Sequence, residues 1–260
     1  MDLKLAGKRV LVTGGNSGLG AAIARAFAAE HARVAINYLV HPEITQQMVT
    51  ELKPSAGDVL ALQADVSKVA EVSAMYQKID AAWGGIDVLI NNAGIDGPRA
   101  LSWEADPEAW NRVLQINLVG AFLCAREAMK RMVASKSGVI INTSSVHEQI
   151  AWSGYSAYCA SKAGLSMMSK TMAQEGGAFG VRVLCIAPGA IRTAINADVW
   201  KDPAGAQDLL SKIALGRVGE AQDIAGMAVM LASDTAGYVT GTSVSVDGGM
   251  TDYPAFAHGG

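Results

Sequence analysis

Short, continuous Val/Ile/Leu/Ala runs alternate along this chain with longer amphipathic stretches, and that alternation constrains it more than any other feature. Runs at residues 9–13, 33–37, 59–63, 86–91, 138–143, 181–187 and 243–246 are mostly apolar at successive positions rather than at every second one. Strands of that kind are buried on both faces, as in parallel sheets covered by helices. Between them, helical patterns are predicted at 21–30, 42–53, 67–83, 107–119, 121–135, 156–179, 203–213 and 221–233. Helices joining parallel strands imply right-handed crossovers. The expected fold class is therefore α/β: a doubly wound Rossmann fold, with a seven-stranded parallel sheet and helices on both faces. No Pro/Ser-rich linker, repeat or low-complexity run interrupts the 260 residues, so one domain over 1–260 is expected.

Charge narrows the partners. With 21 basic and 24 acidic residues, the net charge of −3 gives no general attraction for nucleic acid or for an anionic membrane. No apolar run reaches 18 residues and the first ten residues lack a signal-peptide core, so neither a membrane span nor secretion is expected. Cys124, Cys159 and Cys185 form no C-x-x-C pair and fit small core residues in a reducing cytoplasm. His31, His41, His147 and His258 lack metal-ligand spacing, so no metal is expected. The segment from Met250 to Gly260 is apolar and aromatic, and is expected to pack, against another subunit for example.

The first strand runs into Thr13-Gly14-Gly15-Asn16-Ser17-Gly18-Leu19-Gly20 and then into the first helix. Glycines let a backbone turn tightly and approach a pyrophosphate, and the helix N-terminus supplies free N–H groups and a positive dipole end. The spacing is G-x-x-x-G-x-G rather than G-x-G-x-x-G. The second strand ends Asn37-Tyr38-Leu39, with neither a carboxylate for an adenosine ribose nor an arginine for a 2′-phosphate. Only His41 lies near. The cofactor is thus NAD or NADP, with the preference open.

Tyr158 and Lys162 lie four apart on a predicted helix, hence on one face. A free phenol has a pKa of about 10. A neighbouring ammonium, with a cationic oxidised nicotinamide, would favour the phenolate and make Tyr158 a base. Ser145, just past the fifth strand, is placed to hydrogen-bond the reacting oxygen.

Taken together, Thr13-Gly14-x3-Gly18-x-Gly20, Asp65-Val66, Asn91-Asn92-Ala93-Gly94, Asn117, Ser145, Tyr158-x3-Lys162 and Pro188-Gly189-x3-Thr193 resemble the short-chain dehydrogenase/reductase family over essentially the whole length. The resemblance implies a catalytic set of Asn117, Ser145, Tyr158 and Lys162. It implies that Asn117 holds a water in a proton relay to Lys162, and that Lys162 also bonds the nicotinamide ribose. It implies cofactor contacts from Gly14, Asn16, Ser17, Gly18, Leu19, Gly20 and Tyr38, from Asp65 and Val66 at the adenine, from Asn91, Ala93 and Gly94, and from Tyr158. Pro188, Gly189, Ile191 and Thr193 would reach the carboxamide side. It further implies a homotetramer, with helices around 107–135 and 156–179 at one interface and the seventh strand and tail at another.

Three stretches resemble the bacterial glucose 1-dehydrogenase branch of the family: 144–148, 188–197 and the tail from Asp247 to Phe256. That implies oxidation of the C1 hydroxyl of glucose to the lactone, with Ser145, His147, Tyr158, Asp96 and Asn196 around the sugar. Leu39 replaces an expected basic residue, Asp96 a longer acid, and Gly154 and Ser156 bulkier residues. The alternatives are a carbonyl reductase or alcohol dehydrogenase acting on a 3-oxoacyl thioester, steroid or small ketone, and a non-enzymatic nucleotide-binding relative.

Overall fold

The structure, a computed structural model, describes residues 2–192 and 203–252. Seven parallel strands form one sheet in the order β3-β2-β1-β4-β5-β6-β7. They are β1 (Arg9–Val12), β2 (Arg33–Tyr38), β3 (Asp58–Gln63), β4 (Val88–Asn91), β5 (Gly138–Thr143), β6 (Val181–Pro188) and β7 (Ser243–Val246). The order reverses between β1 and β4, which opens a crevice at the carboxyl ends of the strands. The helices are α1 (Gly18–Ala29), α2 (Pro42–Leu52), α3 (Val69–Trp83), α4 (Pro107–Leu114), α5 (Ala121–Ser135), α6 (Ser156–Gly177), α7 (Pro203–Ser211) and α8 (Ala221–Ala232).

Two apolar layers sandwich the sheet. One holds Val10, Val12, Phe27, Ile90 and Ile141 against α1, α2 and α8; the other holds Leu11, Leu89, Tyr76, Met132 and Ile140 against α3, α5 and α6. Neighbours in β1 therefore face opposite cores, which is why that strand reads as an unbroken apolar run. None of the described helices is long and apolar enough to cross a membrane.

Most elements shift at one or both ends by one to three residues from the sequence expectation, and two differences have a clear physical cause. β4 begins at Val88 rather than residue 86, because Gly85 turns at φ 137° and Asp87 is spent on Arg9. The helical patterns at 107–119 and 121–135 are joined without a break by a π-helical turn, Gln115–Gly120. Such turns often occur at functional sites, and this one carries Asn117.

Asp87 locks the lower end of β1. It accepts from the Arg9 backbone N–H (2.8 Å), from Nε (2.9 Å) and from Nη2 (2.6 Å). Burial alone would raise its carboxyl, but the Arg9 bonds outweigh that and hold it below the usual range. Asp87→Ala is expected to cost about 2 kcal/mol at neutral pH in urea denaturation. A carboxyl depressed in the folded state gives up its contribution as pH falls through its folded-state pKa, so the gap between wild type and variant should narrow in acid.

Candidate active site

The candidate residues collect at the carboxyl ends of β1, β2, β4, β5 and β6, above the crevice. Gly14 and Gly18 adopt left-handed φ angles of 60° and 49°. Nothing lies within 4 Å of where a Cβ on Gly18 would be, so the turn is open on that side. Ser17 caps α1 without a side-chain hydrogen bond, and the first turn carries no acid. The helix thus presents a positive dipole end beside an open glycine turn. That donor set fits the pyrophosphate of a dinucleotide.

The turn is braced from both sides. Asn37 accepts from the Gly14 N–H (3.3 Å) and donates to Leu62 and Ala64 carbonyls. Asn16 donates to the Val40 carbonyl (2.9 Å) and Thr45 Oγ1 (3.1 Å), so its side chain ties the turn to α2. Thr13 Oγ1 accepts from the N–H groups of Asn92 (2.9 Å) and Ala93 (3.0 Å). Asn92 in return donates to the carbonyls of Thr13 (3.1 Å) and Gly14 (3.3 Å). Sequence reading gave Asn37 no role and took Asn92 only as part of the Asn91–Gly94 motif. A polar residue in an apolar strand, and one beside Asn91, were the only available signals.

At the adenine side, Tyr38 ends β2, followed by exposed Leu39 and Val40. The Asp65 carboxylate accepts from Ser67 N–H (2.9 Å) and Oγ (2.6 Å) and lies 3.5 Å from Arg112. Burial would raise it, yet the Ser67 bonds and Arg112 bring it below the usual range. Its side chain therefore shapes the turn, while Val66 is buried against Gly120. Asn91 is also buried: its amide donates to the Ala121 carbonyl (3.0 Å) and Asn142 Oδ1 (2.8 Å), bracing the sheet. Gly94 comes close to Asn117 Oδ1, where a Cβ would stand 3.2 Å away. Pro188 ends β6, Gly189 passes tightly over Asp247, and Ile191 bridges to Gly219. Thr193 and Asn196 lie outside the described residues, as do Tyr253, Pro254 and Phe256.

Ser145 follows β5 and leads into a 3-10 turn, Val146–Glu148. Its hydroxyl accepts from the His147 N–H (3.2 Å), and Ser145 acts to lower the pKa of the Tyr158 phenol. Lys162 is buried, donates to the Thr143 carbonyl (2.7 Å), and places Nζ 5.5 Å from the Tyr158 ring centroid. Asn117 donates to the Ile95 carbonyl (2.8 Å) and Ser161 Oγ (3.1 Å), and its Oδ1 accepts from Ile95 N–H (2.9 Å). Ser161 in turn donates to the Tyr158 carbonyl (2.7 Å). The π-helical turn is thereby tied both to the loop after β4 and to the segment carrying Tyr158.

Burial dominates the electrostatics of both Tyr158 and Lys162. Burial pushes the Tyr158 phenol up to about 12, only partly opposed by Ser145. Burial also brings Lys162 down to about 8. Lys162 Nζ gives its hydrogen bond to a backbone carbonyl, and the expected phenolate calls on the oxidised nicotinamide as well as on the ammonium.

Comparison with known proteins agrees with this geometry. A family model described as enoyl-(acyl carrier protein) reductase matches residues 14–251. The chain is 46% identical over 259 residues to 3beta-hydroxysteroid dehydrogenase 1 of Eggerthella lenta, covering 99% of this chain and 98% of that one. It is 38% identical over 252 residues to glucose 1-dehydrogenase 2 of Bacillus subtilis, covering 96% and 97%. The solved structure of a gluconate 5-dehydrogenase from Burkholderia cenocepacia, in complex with NADP and tartrate, matches with a TM-score of 0.91 at 31% identity, covering 96% and 98%. The chain belongs to the short-chain dehydrogenase/reductase family. It is an NAD(P)-dependent oxidoreductase acting on CH–OH donors.

Proposed function

We propose that this protein interconverts a ring-borne alcohol and its carbonyl, with Tyr158 as the proton-transfer group, Ser145 orienting the reacting oxygen, and Lys162 and Asn117 supporting them. The observation that carries this reading is that Ser145 acts on the Tyr158 phenol to lower its pKa, while Lys162 Nζ lies 5.5 Å from the centre of the phenol ring. When bound, the nicotinamide accepts or returns the hydride and, oxidised, adds positive charge to the site. Tyr158 receives the hydroxyl proton as the alcohol becomes a carbonyl, and donates it in the reverse direction. Ser145 hydrogen-bonds the oxygen on which charge develops. Gly14, Ser17, Gly18, Leu19 and Gly20 hold the pyrophosphate by backbone and helix dipole, in place of net charge.

The relatives include dehydrogenases named for a 3β-hydroxysteroid, for glucose and for a dichlorocyclohexadienediol, and a 3-oxoacyl-[acyl-carrier-protein] reductase. An acyl-carrier substrate is less well supported, since docking an acidic carrier needs free basic groups. Arg126, Lys130 and Arg131 are instead paired with Glu127 and Asp80. We rank the ring alcohols first and take the cytoplasm and a homotetramer as the working context. Initial rates with NAD and with NADP, on a 3β-hydroxysteroid, glucose and 3-oxoacyl thioesters, are the test. Turnover is expected on a ring alcohol with at least one dinucleotide. Turnover confined to thioesters would refute the reading.

A further inference from the structure

Beside Tyr158 the loop from Ser145 to Ser156 builds a stack of rings. His147 lies parallel to Trp152, with centroids 4.6 Å apart and planes 13° from parallel. Trp152 lies parallel to Tyr155, at 3.9 Å and 25°. Both Trp152 and His147 meet the Tyr158 ring edge-on, at 6.0 Å and 82° and at 6.2 Å and 71°. His147 and Trp152 thus stand roughly upright against the phenol that bears the reacting proton, and Tyr155 extends the stack from Trp152. Aromatic pairs favour these two geometries, so each ring fixes the next.

The stack is held from outside as well. The Ala100 N–H donates to the Gly154 carbonyl (3.0 Å), tying this loop to the loop after β4. Gly154 sits at φ 87°, and a Cβ there would stand 2.8 Å from Arg99 Cγ. A side chain at 154 would be strained and would part the two loops. Trp152 nonetheless stays 37% exposed, and Ile95 on the facing loop 39%.

Two of the polar groups nearby are at least partly committed. His147 Nδ1 bonds the Ile150 carbonyl (3.0 Å), and burial keeps the imidazole below its usual pKa and mainly neutral. The Ser145 hydroxyl accepts from the His147 N–H. Of the candidate sugar ligands among the described residues, only Asp96 retains an uncommitted charge near the phenol. A pyranose carries hydroxyls all round its ring, and each one buried without a partner is costly. A fused-ring alcohol carries one oxygen for Ser145 and Tyr158, and apolar faces for the rings.

We infer that the His147–Trp152–Tyr155 stack is a specificity-determining wall that receives the apolar face of a fused-ring alcohol and disfavours a free sugar. The inference deepens the ring-alcohol reading and rests on it. The decisive comparison is Trp152→Ala and Trp152→Phe against wild type, with a 3β-hydroxysteroid, cyclohexanol and glucose as substrates. For Trp152→Ala, KM for the steroid should rise about tenfold or more relative to that for cyclohexanol, the loss falling on KM rather than kcat. Trp152→Phe, which keeps a ring in place, should recover most of that loss. An equal fall in kcat on every substrate with KM unmoved would make Trp152 a brace for Tyr158 and overturn the inference. So would a wild-type kcat/KM for glucose at or above that for the steroid. A steroid lacking the 3-oxygen provides a readout independent of chemistry. It should quench the fluorescence of wild type and bind Trp152→Ala about tenfold more weakly. If that binding is seen but no alcohol is turned over, the ring-alcohol reading fails and the wall stands; if the deoxysteroid binds both proteins equally, the wall fails.

Discussion

Tyr158→Phe protein should turn over its alcohol about a thousandfold more slowly than wild type, the range expected when a general acid or base is removed. Dinucleotide affinity, read by tryptophan fluorescence or calorimetry, should stay within about threefold, because the phosphate turn lies on other elements. Phenylalanine keeps the edge-on contacts with Trp152 and His147, so the loss isolates the hydroxyl. The pH dependence carries the same assignment. A phenol pushed up to about 12 by burial is protonated at neutral pH. Alcohol oxidation needs the phenolate, so its kcat/KM should climb with pH by up to about tenfold per unit until the phenol ionises in the enzyme–dinucleotide complex that meets the alcohol. Ketone reduction needs the phenol and should be level over the same range, falling only above that point. Retained turnover in Tyr158→Phe, or a level oxidative profile, would move the proton transfer to another group.

Gly20→Ala is the second large effect. A Cβ at Gly20 would run into the Gly14 carbonyl oxygen and stand 2.6 Å from Asn92 Nδ2. Both atoms belong to the brace that closes the turn, since Asn92 donates to that same carbonyl. Neither can withdraw without opening the turn, and overpacking of this kind costs about 1–3 kcal/mol. If the cost falls on the bound geometry, dinucleotide affinity drops by about tenfold to a hundredfold. Gly18→Ala is the control: its Cβ meets nothing within 4 Å, and the only strain is the left-handed φ of 49°. Calorimetric titration with NAD and NADP, alongside urea denaturation of each variant, separates lost affinity from lost stability. Wild-type affinity in Gly20→Ala would remove the close approach of helix and turn from the binding account.

Much of the framework was legible in the chain itself. Runs such as Val10-Leu11-Val12 and Val139-Ile140-Ile141 are buried on both faces, and only a helix-covered parallel sheet satisfies that demand. The glycine turn, Ser145 and the Tyr158–Lys162 pair were equally readable, because each is a local arrangement whose spacing carries its geometry. The join of α4 to α5 was not, since the π-helical turn is held by the Asn117 amide gripping Ile95, 22 residues away in sequence. Nor was the stack at Trp152 readable. In a loop, Trp152, Tyr155 and His147 follow no period, and nothing in their spacing says that three rings lie parallel.

The sequence by itself therefore determined the sheet, the cleft at its carboxyl edge and the class of chemistry, because hydrophobic period and motif spacing act over a few residues. Tertiary structure decided what each polar group is free to do. Folding spends Asn91, Asp65 and the Asn117 side chain on bracing, turns Lys162 to the Thr143 carbonyl, and sets a ring wall beside the reacting phenol. Desolvation and hydrogen-bond commitment depend on neighbours far along the chain, so they exist only once the chain has closed on itself.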